Sequence, residues 1–212
     1  MLINLNERTR TDEEEVLNNM SFKQKWLLDF ITTNRNEEVM SFKEFKSSDL
    51  IPDLINVAPH HQAVIKFSSS GQLVNLGNLL KPSEVQDVPT VVYPVLGEYF
   101  TLMLVDPDAP SRKDPLERSF VHWLVVNIHR LNIDDGDLLA EFIGSAPPPN
   151  SGLHRYTFLV YKQPRKLQFS EAKLSVTNFE ERKFFSVQNF VSKYNLGNPV
   201  AGNFYLCKPE GE

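Results

Sequence analysis

The 212-residue chain carries 22 Lys and Arg against 27 Asp and Glu, a net charge of −5, and 41% of it is hydrophobic, including 15 phenylalanines. Such a composition suits one folded domain with its own core and excludes an intrinsically disordered chain. It also argues against a nucleic-acid-binding surface, which needs clustered Lys and Arg.

The one cysteine, Cys207, cannot close an internal disulfide, which fits a reducing compartment. The first residues hold no apolar stretch of signal-peptide length, and no run approaches the roughly 18 apolar residues of a membrane span. The sequence therefore predicts a soluble, cytoplasmic protein without a transmembrane segment.

In chain order, the first element is a helix over about residues 12–32. Thr11 and Glu14 form a capping box, and Val16, Leu17, Met20, Leu27, Phe30 and Ile31 recur at near-helical spacing. The expected division is a helical extension over 1–39 and a main domain over 40–212. Met40 is a candidate internal translation start. The extension's apolar side needs a surface to pack on, with Trp26, Leu27 and Phe30 as the expected contacts.

From about residue 60 the pattern becomes short apolar runs between turn residues: 63–67, 72–76, 91–95, 99–105, 121–128 and 156–161. Several strands with Pro- and Gly-rich turns predict a mainly β, sandwich-like fold. Near the end, Thr177 and Glu180 form a second capping box, and Phe184, Val187, Phe190, Val191 and Tyr194 share a face, predicting a helix over 179–194.

Three strand ends carry polar chemistry. The run Asp106-Pro107-Asp108-Ala109-Pro110-Ser111-Arg112 closes one strand with two carboxylates on proline-stiffened backbone. His122 interrupts an apolar strand, and His154 and Tyr156 open another after the Pro147-Pro148-Pro149 loop. Constrained polar groups at the ends of buried strands are what a small-ligand site needs.

The ordered motifs Asp106-Pro-Asp-Ala-Pro-Ser-Arg112, His122-Trp-Leu-Val-Val-Asn127, Gly144-Ser-Ala-Pro-Pro148, Gly152-Leu-His-Arg-Tyr156 and Asn198-Pro-Val-Ala-Gly202 resemble the phosphatidylethanolamine-binding protein family, also called Raf kinase inhibitor proteins. The resemblance covers about residues 50–206. It implies a large antiparallel sheet packed on a smaller sheet, with peripheral helices. It also implies a shallow pocket for phosphate-type anions and phospholipid head groups, built from Asp106, Ala109, Pro110, His122, Gly144, Pro148, His154 and Tyr156. Asp108 and Arg112 would buttress the turn, and Phe120 would form the apolar wall.

The chain departs from the family pattern at several points. Phe120 replaces a tryptophan, Val121 a second histidine and Ala146 a glycine. The C-terminal helix that helps cover the pocket in animal members is missing: seven residues follow Tyr205, with Pro209 and Gly211 opposing a helix.

Physically, His122, His154 and the Tyr156 hydroxyl can donate to a phosphate. Asp106 either orients an imidazole or meets the ammonium of an ethanolamine head group. The expected function is non-enzymatic head-group binding by a monomer without cofactor, with regulation of a protein kinase or inhibition of a serine protease as what the resemblance permits. A phosphoester hydrolase is the enzymatic rival, but no Gly-x-Ser-x-Gly elbow is present and no motif ties a serine to the site. Metal binding is a further rival, weakened by Pro110 where a calcium loop wants an oxygen ligand.

Overall fold

The computed structural model describes Lys25 and residues 41–211. The helix expected over 12–32, its capping box and its docking contacts lie outside the described residues, Lys25 excepted.

Two short helices, α1 (Ser41–Ser47) and α2 (Leu50–Asp53), precede the strands β1 (His61–Gln62), β2 (Val64–Lys66), β3 (Asn78–Leu79), β4 (Thr90–Val92), β5 (Tyr99–Asp106), β6 (Phe120–His129), β7 (Asp137–Ala140) and β8 (His154–Gln163). Helix α3 (Val187–Tyr194) and strand β9 (Ala201–Cys207) follow. The large sheet has the order β1-β9-β8-β5-β6-β7, with β3 also on β9, and β2 pairs with β4 in a small second sheet. The pairs among β9, β8, β5, β6 and β7 are antiparallel. The sheet is mixed rather than wholly antiparallel, because β1 and β3 both run parallel to β9.

The central strands read as near-continuous apolar runs because both faces of the sheet are covered, so even alternation cannot leave a polar face. Phe100, Leu102 and Leu104 of β5 pack with Ile65, Val91 and Tyr93 on the small-sheet side. Met103 and Val105 pack with Phe45, Leu50, Val187 and Phe190 on the helix side.

Two sequence expectations are corrected. Residues 72–76 do not form a strand. Beyond one bridge from Leu73 to Lys66, the segment turns away at Leu76, with φ 41°. There Asn203 replaces a partner strand: its Oδ1 accepts from Leu76 N at 2.8 Å and its Nδ2 donates to Val74 O at 3.0 Å. Secondly, the helix expected over 179–194 starts only at Val187, where the Ser186 hydroxyl accepts from Asn189 N. The preceding chain forms a 3₁₀ turn over Glu180–Arg182. Arg182 is buried, and its guanidinium donates to the carbonyls of Val121, His122, Glu141 and Ser175, which pins the segment to the start of β6. Phe184 consequently takes φ 60° and is 67% exposed rather than on the helix's buried face.

Strand β9, which lies beyond the apolar runs read from the sequence, is largely buried. Glycine is required at Gly202 because a Cβ there would lie 2.7 Å from Pro59 and 2.9 Å from Phe158 O.

Candidate ligand-binding site

Strand β5 is antiparallel to both β6 and β8, so its end lies beside their beginnings. Asp106, His122, His154 and Tyr156 therefore meet at one end of the sheet. All the residues that the resemblance implies for the pocket (Asp106, Ala109, Pro110, His122, Gly144, Pro148, His154 and Tyr156) line one cavity of about 160 Å³, together with Phe120. Glu117, Ile143, Ala146, Pro147 and Phe179 complete its wall.

The turn after β5 is rigid for local reasons. Asp106 Oδ1 accepts from Asp108 N at 2.8 Å, an Asx turn. Asp108 does not reach the cavity. It is fully buried and takes Arg155 Nε and backbone N on Oδ2 at 2.8 and 2.9 Å, and Arg155 Nη2 on Oδ1 at 2.6 Å. Arg155 reaches on to Asp53 and to Ser48 O, fastening the turn to α2 and the α1–α2 link. Arg112 fastens the same region from outside, donating to Asp49 at 2.8 Å and Ser48 O at 3.2 Å. Both residues buttress the turn.

His122 is buried, and its Nδ1 lies 2.9 Å from Ile143 O. Burial pulls its pKa below the ordinary histidine value, with the Asp106 charge opposing. At neutral pH the ring is thus uncharged. Its Nδ1–H donates to the carbonyl, and Nε2 is left as an acceptor. Phe120 and Tyr156 pack on it at centroid distances of 4.8 and 5.1 Å.

His154 is engaged on both sides: Nδ1 lies 2.7 Å from Asp106 Oδ2, and Nε2 lies 2.9 Å from Ser151 Oγ. Ser151 in turn donates to Pro148 O at 2.6 Å. The chain Asp106–His154–Ser151–Pro148 fixes the proline loop over the cavity. Its first three members have the spacing of a nucleophile relay, but the serine's single proton goes to the carbonyl, and Ser151 is not among the cavity's lining residues. With both of its ring nitrogens engaged, His154 offers no free donor, and His122 can donate to a ligand only once its Nε2 takes up a proton. Of the two roles expected for Asp106, the hydrogen bond to His154 Nδ1 is the orienting one.

Tyr156 is buried and stacks on Tyr205 at 5.2 Å. Burial first, then the Asp106 charge, pushes its hydroxyl well above the usual tyrosine value, so it remains a donor. Gly144 serves packing: a Cβ there would lie 2.5 Å from Gln86 Oε1 and 2.9 Å from its Cα, while Gln86 Nε2 holds Ser145 O at 2.9 Å.

Sequence reasoning missed Glu117, Phe179 and Ser151. Glu117 sits in an unremarkable loop, Phe179 reads as part of a helix, and Ser151 reads as an ordinary turn residue. Only the folded topology brings them to the site. Among the described residues no group of three or more His, Cys, Asp or Glu could hold a metal ion, and no helix is long and apolar enough to cross a membrane.

Residues 59–205 match a family model described as phosphatidylethanolamine-binding protein. A Drosophila melanogaster protein named as an odorant-binding protein, A5, is 36% identical over 164 residues, 77% of this chain and 78% of its own length. A 26 kDa secreted antigen of Toxocara canis is 39% identical over 76% of this chain, and the match spans 62% of that protein. The crystal structure of a carboxypeptidase Y inhibitor complexed with its cognate proteinase superposes with a TM-score of 0.71 at 26% identity, covering 84% of this chain and all of the inhibitor.

Proposed function

The chain belongs to the phosphatidylethanolamine-binding protein family, and we propose that it binds phosphate-bearing, phosphatidylethanolamine-like head groups in the cavity at the end of β5, without catalysing a reaction on them. One observation carries the reading: the expected pocket residues, scattered from Asp106 to Tyr156, line a single, mainly apolar cavity whose lining includes His122 and Tyr156. Apolar walls with a few convergent polar groups are the usual form of a small-ligand site. Non-enzymatic action is favoured by the direction of the Ser151 proton, which leaves no activated nucleophile facing the cavity.

We place this activity in the cytoplasm, where a lone buried thiol such as Cys207 persists, and regulation of a kinase would follow from occupancy of the same pocket. Native mass spectrometry of the purified full chain, followed by calorimetry with glycerophosphoethanolamine, tests the reading. A co-purifying phospholipid or saturable head-group binding supports it. The absence of both, with hydrolysis of the diester, would overturn it.

A second reading rests on the superposition with the carboxypeptidase Y inhibitor: inhibition of a peptidase through the protein surface. Titrating the chain into carboxypeptidase Y with and without saturating head group distinguishes the two, since a surface inhibitor acts with the pocket full.

A further inference from the structure

Glu117 lines the cavity, and nothing in the family resemblance assigns it a role. Its backbone is pinned at both ends: N donates to Ala109 O at 3.0 Å, and O accepts from Phe184 N at 3.2 Å. The carboxylate therefore has a fixed base between the Asp106 turn and the 179–185 segment. Its Oε1 pairs with Lys183 Nζ at 2.9 Å, and the same ammonium reaches Glu180 Oε1, also at 2.9 Å. Lys183 does not line this cavity; it lines the adjoining cleft over α3.

Other charges near the site are committed elsewhere. Asp106 is bonded to His154 and to Asp108 N. Arg182 serves carbonyl oxygens, and Arg118 donates to Pro107 O at 2.6 Å and lies near Asp53 and Asp108. His122 offers an acceptor. The cavity is thus rich in acceptors, and Glu117 is the lining carboxylate whose counter-ion can be exchanged. If an incoming ammonium takes Glu117, Lys183 still keeps Glu180, so the exchange strands no charge.

Building on the head-group reading above, we propose that Glu117 is the specificity-determining residue that selects head groups bearing a primary ammonium, and that Lys183 occupies its place in the free protein. The ligand's ammonium replaces the lysine at Oε1, while the phosphate lies toward His122 and Tyr156.

The test compares phosphoethanolamine with ethyl phosphate, which keeps the ester and lacks the ammonium, on the full chain by calorimetry. The wild type should prefer phosphoethanolamine roughly three- to tenfold, the range for a partly exposed charged hydrogen bond. Glu117→Gln should bring the ratio to about one. Lys183→Met, which removes the competitor, should raise the ratio. A preference that survives Glu117→Gln overturns the assignment and leaves head-group binding standing. Failure of the wild type to bind either compound overturns both.

Discussion

Phosphate binding at His122 requires a proton that the free protein does not hold at neutral pH. Nδ1–H is committed to Ile143 O, and burial holds the ring neutral, so a phosphate oxygen would face the Nε2 lone pair. The ligand can be accepted only with uptake of one proton onto Nε2. A hydrogen bond to the charged ring is worth about 1.5–3 kcal/mol, or roughly 10- to 150-fold in affinity between the neutral and charged states. With one linked proton, affinity should climb by up to about tenfold per pH unit as pH falls toward the depressed value of the free His122.

Glycerophosphoethanolamine suits the assay because a diester keeps its charge across this range. Calorimetry between pH 7.5 and 5.5, repeated in buffers of different ionisation enthalpy, reads affinity and proton uptake together. His122→Gln should flatten the profile and abolish uptake. Stability moves the other way. A histidine whose folded pKa is depressed contributes stability present above its unfolded value of about 6.5 and lost as pH falls through the folded value. The free protein should therefore melt at lower temperature in mild acid while its ligand binds more tightly. A pH-independent affinity with no proton uptake would refute this account and hand the phosphate to Tyr156 or to backbone amides.

Other consequences can be checked on the same protein. Asp108→Ala leaves the buried Arg155 guanidinium without its bidentate partner and should cost about 3–5 kcal/mol in denaturant unfolding, whereas Arg112→Ala, exposed, should cost less than about 1 kcal/mol. Gly144→Ala forces a methyl against Gln86 and should destabilise the chain by about 1–3 kcal/mol; because the Gln86 backbone is also close, Gln86→Ala should restore only part of the loss. Ser151→Ala cuts the tie from His154 to Pro148 O and should raise amide exchange in residues 147–152 and speed ligand release. Fluorophosphonate labelling of Ser151 in the wild type would contradict the latch and revive the hydrolase.

The strands whose residues are apolar on both faces were legible from sequence, because β5, β6 and β8 have nowhere to show polarity. The pocket was legible for a different reason: its proline-bound carboxylates and its histidines lie in contiguous motifs at strand ends. What escaped was set by distant partners. The Thr177/Glu180 pattern has the form of a helix start, yet four carbonyls from β6 and the loops beyond capture Arg182 and delay the helix to Val187. The run over 72–76 has strand composition, but a side-chain amide from β9 takes the place of a neighbouring strand. Donor roles were also beyond sequence. His154 and His122 look equivalent until the fold shows which ring nitrogens are already spent.

The departures from the family pattern can be weighed by where each side chain points. Successive residues of a strand face opposite sides of the sheet. Phe120 and His122 line the cavity, so Val121 between them must face away, and it packs with Leu124, Val187 and Phe190 in the helix-side core. A histidine at 121 would sit beneath α3 and the 179–186 segment, not beside a ligand. Its replacement by valine therefore removes a polar group from that core and takes nothing from the pocket. Phe120 keeps an aromatic ring 4.8 Å from His122 but brings no donor, which leaves the phosphate more dependent on a protonated His122. Ala146 is exposed and lines the cavity, where a methyl group adds no hydrogen-bond donor. Of these three changes, the tryptophan-to-phenylalanine exchange alone alters the ligand's donors. It does so in the direction that steepens the pH dependence, so Phe120→Trp should bind the diester more tightly at pH 7.5 and flatten the profile toward pH 5.5.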